Sequence, residues 1–178
     1  VSGQEGYDRA IELIADAVES DSITLDLSAL ELNELPPEIT LLTNLQTLNL
    51  SNNQFETLPL EITALTTLRT LNLSRNQLVS LPPEIGSLTN LRTLNLSRNQ
   101  LVSLPPEIGS LTNLWTLDLS HNQLESLPSD TENLQNLCGI NISDNDFRHI
   151  PFALTRLQKL PTCSQMTYGQ ITRGNPLL

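Results

Sequence analysis

Residues 68–90 read LRTLNLSRNQLVSLPPEIGSLTN, and residues 91–113 spell the same 23 letters again. A chain that repeats itself letter for letter repeats its local shape, and like shapes joined in series stack against one another. The doubled stretch belongs to a longer array. From Leu45 the frame L-x-x-L-x-L-x-x-N-x-L-x-x-L-P-x-x-I-x-x-L recurs every 23 residues, at Leu68, Leu91, Leu114 and, with substitutions, Leu137. An earlier copy fits residues 22–44, with Leu30 in the place of the asparagine, so six units occupy 22–159.

The letters dictate the shape of one unit. In Leu48-Asn49-Leu50 and Leu94-Asn95-Leu96 the side chains alternate between two faces, which predicts a short strand with its leucines inward. One unit cannot bury those leucines alone. Parallel stacking at about 4.8 Å per strand gives six units a sheet roughly 25–30 Å across over a continuous core. The asparagines at 53, 76, 99, 122 and 145 fall where the chain leaves the strand, and their amides can bond backbone groups that a turn leaves unpaired. In L-P-P-E-I, at 81–85 and 104–108, proline presets a short helical turn whose Ile packs inward. These turns are wider than the strands, so the stack is expected to curve, with the sheet on its concave face.

A stack has two ends to close. At the first, residues 1–21 read as a capping helix. Ser2 and Glu5 resemble a capping box, and Tyr7, Ala10, Ile11, Ile14, Ala15 and Val18 form an apolar stripe, with Asp8, Glu12, Asp16 and Glu19 toward water. At the other, residues 160–178 lose the frame: Cys163 replaces a leucine and Gln165 falls where another belongs. The closing GNPLL looks like the end of a repeat strand and turn. An irregular cap and a truncated repeat both fit this segment.

The L-P-P-E-I-G-S-L-T-N-L frame at 81–91 and 104–114 resembles the short, 23-residue intracellular class of leucine-rich repeats, found in Ras-group scaffolds of animals and plants, erbin-like proteins and bacterial Roco proteins. The resemblance implies an α/β leucine-rich-repeat solenoid, a horseshoe. It also implies a non-enzymatic protein-interaction module or scaffold, whose partner is a small GTPase or a GTPase domain of the same chain. Two alternatives stand beside it. The chain is then a recognition or regulatory arm of a larger enzyme, such as a Roco GTPase, a kinase or a ubiquitin ligase, or it is an engineered repeat scaffold; the irregular units at 22–44 and 137–178 speak against design.

Charge narrows the partners. Twenty acids against nine Lys and Arg give a formal charge of −11, a poor surface for nucleic acid or anionic membrane. No run approaches the roughly 18 apolar residues of a membrane helix, and the acidic N-terminus does not read as a signal peptide. Cys138 and Cys163 are too few for the paired caps of many extracellular repeat proteins, which favours a reducing compartment. The N-x-S patterns at Asn49, Asn72, Asn95 and Asn141 lie in strands, where glycans would cover a sheet face. A cytoplasmic monomer is expected.

Partner contacts belong to the outward strand positions, which form columns across the units. Three columns are nearly constant, typified by Thr70, Asn72 and Ser74, and stacks of such side chains can bond to one another along the sheet. Two flanking columns vary: Ile23, Gln46, Arg69, Arg92, Trp115, Cys138 and Ala29, Asn52, Arg75, Arg98, His121, Asp144. They hold four of the nine basic residues, and folding does not require arginines on adjacent strands. Six extended residues span roughly 20 Å, so the two arginine pairs bracket the face and suit a protein surface better than one small anion. Trp115, an aromatic expected beside Arg92, adds an interface anchor. The candidate partner-binding set is Arg69, Arg75, Arg92, Arg98, Trp115 and His121, with Asn72, Asn95 and Asp118 between the columns. Asp118, Ser120 and His121 are too close along one strand to form a catalytic relay, and His121 is expected to pair with Asp144. No catalytic residue, cofactor or metal is expected.

Overall fold

The computed structural model describes residues 3–157 and 173–176. Helix α1 (Gly3–Glu19) precedes six strands, β1 (Thr24–Asp26), β2 (Thr47–Asn49), β3 (Thr70–Asn72), β4 (Thr93–Asn95), β5 (Thr116–Asp118) and β6 (Gly139–Asn141), and helix α2 (Phe152–Leu157) follows them. The strands pair in chain order and all in parallel. Their register is the sequence period itself, since Leu48 pairs with Leu71 and Leu71 with Leu94. Between strands the chain returns through 3-10 helices at Pro37–Leu41, Leu60–Ala64, Pro83–Ser87, Pro106–Ser110 and Ser129–Asn133. Three of these begin on proline, which lacks the amide hydrogen a helix start would leave unpaired. The result is a leucine-rich-repeat solenoid.

The core is a set of ladders. Leu48, Leu71, Leu94 and Leu117 are fully buried on the inner side of the strands, with Leu50, Leu73, Leu96 and Leu119 two residues on. Ile39, Ile62, Ile85 and Ile108 close the opposite wall from the 3-10 helices. The fifth unit departs from this wall. Thr131 stands in the isoleucine position, is fully buried, and its hydroxyl has no hydrogen-bond partner.

The turn asparagines are buried and saturated. Asn99 Nδ2 donates to the carbonyls of Leu73 and Leu96, both at 3.0 Å, and its Oδ1 accepts from the Leu78 amide at 3.0 Å. Asn76 makes the same bonds one unit earlier, and Asn122 and Asn145 one and two units later. Each side chain thus ties its own turn to the one before, at points where the backbone has no ladder partner. Asn175 continues the series: it donates to Ile142 O at 3.0 Å and accepts from Phe147 N at 3.2 Å. The asparagine of GNPLL therefore does the work of a repeat asparagine. Residues 158–172, which hold the broken frame, lie outside the described residues.

The N-terminal helix packs by only part of the stripe its sequence predicts, since Ala10 and Ile14 are buried and Tyr7 is half-buried against the core. Gly6, Ala10, Ile14 and Ala17 are buried, whereas Ile11, Ala15 and Val18 face outward. Small residues win because the helix lies directly on the first unit; a Cβ on Gly6 would collide with the Leu30 carbonyl. Ser2, the expected cap, is outside the described residues.

Two substitutions test this account by urea unfolding. Asn99→Ala leaves an amide and two carbonyls without their bonds and should lower stability by about 3 kcal/mol. Thr131→Val removes an unpaired buried hydroxyl at nearly constant volume and should raise stability by about 1 kcal/mol.

Candidate protein-binding surface

The outward positions of the sheet carry the candidate site. Because Leu71 and Leu73 are locked inward, Asn72 between them points to the concave face, and Asn95 and Asp118 do the same in their units. Neighbouring units repeat the placement. Arg92 N donates to Arg69 O, and Trp115 N to Arg92 O, both at 2.8 Å, so Arg69, Arg92 and Trp115 occupy three successive rungs. Both arginines are exposed and Trp115 is 58% exposed. A large aromatic held that open contributes nothing to the core.

The second flanking column is not strand. Asn52, Arg75, Arg98, His121 and Asp144 all have left-handed backbones, with φ of 56–57°. The reading of residues 69–75 as one extended run, and the roughly 20 Å separation drawn from it, therefore fails beyond Asn72: Arg75 and Arg98 sit on turns at the sheet rim. The turn is enforced by hydrogen bonds. Arg75 N donates to Ser97 O at 2.9 Å and Arg98 N to Ser120 O at 2.8 Å, so the left-handed residue still joins the unit after it. Asn, Asp and His tolerate this conformation more readily than arginine does. Their presence in the same column was the available signal.

The constant columns also behave differently from the expected cross-strand stacks. Asn72 Oδ1 accepts from Ser74 N at 3.0 Å, and Asn95 Oδ1 from Ser97 N at 3.0 Å and the Ser97 hydroxyl at 2.8 Å. Asp118 Oδ1 takes the same two bonds from Ser120, at 2.9 and 2.7 Å. These are turns within a unit, two residues apart, that steer the chain out of the strand. Asn72, Asn95 and Asp118 remain half-buried on the face, each with one oxygen already engaged.

In the first unit Asp26 makes the equivalent turn. The Ser28 hydroxyl, followed by the Ser28 amide and the Asn49 side chain, outweighs burial and holds its carboxyl below the ordinary value of 3.8. A carboxyl lowered in the fold stabilises it above the unfolded value and loses that contribution as pH falls through the folded one.

His121 and Asp144 pair as the sequence suggests, Nε2 to Oδ2 at 3.5 Å across adjacent turns. With Ser120 bonded to Asp118 and His121 turned to Asp144, the four residues make two separate pairs and no relay. Among the described residues no three His, Cys, Asp or Glu side chains gather as a metal would require.

Two features escaped the sequence. A second ladder runs along the opening edge of the sheet: Asn90 donates to Thr66 O, Asn113 to Thr89 O and Asn136 to Thr112 O, at 2.8–2.9 Å, with Thr67 bonding Thr43 O at 2.9 Å. Its signal was present in the same 23-residue period, at the letter before each opening leucine. The other concerns Cys138, which is disulfide-bonded. The chain's other cysteine, Cys163, lies outside the described residues. Cysteine usage therefore does not argue for a reducing compartment, because structural disulfides persist in oxidising ones. Among the described residues no helix is long and apolar enough to cross a membrane.

Comparison with known proteins agrees with this architecture. Two leucine-rich-repeat families match by sequence, one over residues 44–65 and the other over 66–124. No curated protein matches the chain. A leucine-rich-repeat protein of Leptospira interrogans is 37% identical, with a TM-score of 0.71 over 81% of this chain and 43% of that one. The ectodomain of the Arabidopsis thaliana receptor kinase GASSHO1/SCHENGEN3, solved in complex with CASPARIAN STRIP INTEGRITY FACTOR 2, is 36% identical, with a TM-score of 0.66 over 83% of this chain and 17% of that one. The leucine-rich-repeat domain of a Shigella effector is 29% identical, with a TM-score of 0.65 over 81% and 59%. The chain spans less than two thirds of each of these proteins.

Two measurements check the site geometry. An NMR titration of Asp26 should give a midpoint below 3.8 that Ser28→Ala moves upward. Arg98→Asn, which keeps the left-handed turn, should leave unfolding free energy within about 0.5 kcal/mol of the parent.

Proposed function

We propose that the chain is a non-enzymatic protein-recognition module whose concave face docks an acidic protein surface. Arg69, Arg92 and Trp115 supply the contacts on one rim, and Arg75, Arg98 and His121 those on the other. Asn72, Asn95 and Asp118 form the wettable floor between them. The observation that carries the reading is the open Trp115 in the same column as two exposed arginines. In a chain of net charge −11 that local cluster of positive charge opposes the global sign, and buried aromatics and arginines carry most of the energy at protein interfaces. The left-handed backbones of Arg75 and Arg98 add support, since folding alone favours Asn or Gly there.

The complex of GASSHO1/SCHENGEN3 with CASPARIAN STRIP INTEGRITY FACTOR 2 supports a recognition role by likeness of fold. A small GTPase, or a GTPase domain of the same chain, is the partner that the L-P-P-E-I resemblance adds, with a cytoplasmic setting. The disulfide at Cys138 favours an acidic protein met in an oxidising compartment.

Affinity capture from native lysate, run in parallel with the parent and with Arg92→Glu combined with Trp115→Ala, tests the face. Both positions are exposed, so circular dichroism and unfolding should be unchanged. Recovery of the captured protein should fall more than about tenfold, as loss of a hot-spot pair implies. Equal recovery would remove the concave face from the function.

A further inference from the structure

The N-terminal cap leaves an apolar groove open. It runs between α1 and the 3-10 helix Pro37–Leu41, with a volume of about 280 Å³, and Ile11, Ala15, Val18 and Leu41 form its walls. Ile11 and Val18 are 39% and 40% exposed, and Leu41 is 63% exposed. On α1 these residues fall at i, i+4 and i+7, a second stripe beside the Gly6, Ala10, Ile14 and Ala17 stripe that packs on the first unit. The cap thus has two apolar faces and the solenoid covers one. An apolar stripe left uncovered and edged by polar residues is available to a partner.

The charge around the groove specifies what fits. Glu19 and Glu38 line it. Residues 10–68 hold ten of the chain's twenty acids and no Lys, Arg or His, so the second half of the cap and the first two units present one sign, and Arg9, earlier on α1, is paired with Glu12. The partly buried Tyr7 registers the same field: burial first, then the carboxylates of Glu34, Glu38 and Glu61, push its phenol above 10.0. We propose that this groove docks a basic amphipathic helix of a partner protein, its apolar residues seated between Ile11, Val18 and Leu41 and its Lys or Arg residues facing Glu19 and Glu38. The 3-10 helix Pro37–Leu41 lies on the side opposite the sheet, so this surface is separate from the concave one and does not depend on it.

The test uses fluorescence anisotropy with a labelled 18-residue peptide of Leu and Lys, its leucines at helical spacing, and a second peptide of the same composition scrambled to have no apolar face. The first should bind the parent protein at least about tenfold more tightly than the second. Leu41→Ser should weaken binding about tenfold, and because Leu41 is exposed its change spares the core. Glu38→Lys should weaken binding and flatten its salt dependence. Arg92→Glu with Trp115→Ala should leave the peptide affinity unchanged, which separates this surface from the concave face. Equal affinity for both peptides, or no loss in Leu41→Ser, overturns the proposal. So does sedimentation of the protein alone as a dimer that Leu41→Ser dissociates, because the groove would then belong to a second copy.

Discussion

The structure depends on the asparagine that links each turn to the one before it. Leucine burial drives neighbouring units together, but burial is non-directional and would tolerate a slipped register. Hydrogen bonds are directional and costly to leave unmade. By donating to two carbonyls and accepting from one amide, Asn99 allows a single offset between its unit and the preceding one, and Asn76, Asn122 and Asn145 enforce the same offset along the stack. The 23-residue register of the strands follows from that repetition. Asn175 applies the same device next to the last described strand.

That constraint also fixes where recognition is available. Strands of three residues, with leucines locked inward, leave a narrow set of outward positions, and the asparagine–serine turns consume much of the hydrogen-bonding capacity of the central column. Variation is free only at the rims. One rim begins the strand and holds Arg69, Arg92 and Trp115; the other lies on left-handed turns and holds Arg75, Arg98 and His121. The fold accounts for their positions without requiring their chemistry. The reverse holds at Thr131, where a polar residue sits in a position that packing alone would give to isoleucine.

The strands, their inward leucines and the helical turns after each proline were legible because each is a local pattern repeated at one period. Periodicity multiplies a weak signal, so a three-residue strand that would be ambiguous alone is plain when it occurs six times. The pairing of His121 with Asp144 was legible for the same reason, since equal positions in adjacent units must lie side by side. The left-handed turn was not, because Arg at 75 and 98 hides a conformation that Asn52 and Asp144 hint at. The N-terminal helix, where the period stops, was legible only in part: Ala10 and Ile14 are buried as expected, and Ile11, Ala15 and Val18 are not. Its apolar residues outnumber those one neighbour can cover, and hydrophobicity does not say which of two stripes is buried.

By itself, then, the sequence determined the solenoid and the register, because these follow from alternation and repetition along the chain. Tertiary structure decided the rest: that Gly6 and Ala17 join Ala10 and Ile14 against the first unit while Ile11, Val18 and Leu41 stay open, that the second arginine column stands on turns, and that Cys138 is disulfide-bonded. Each depends on how closely two surfaces approach, and approach is set by the shape of the neighbour. Gly6 shows the point, for only the nearness of the Leu30 carbonyl makes a residue without a side chain the one that the cap must bury.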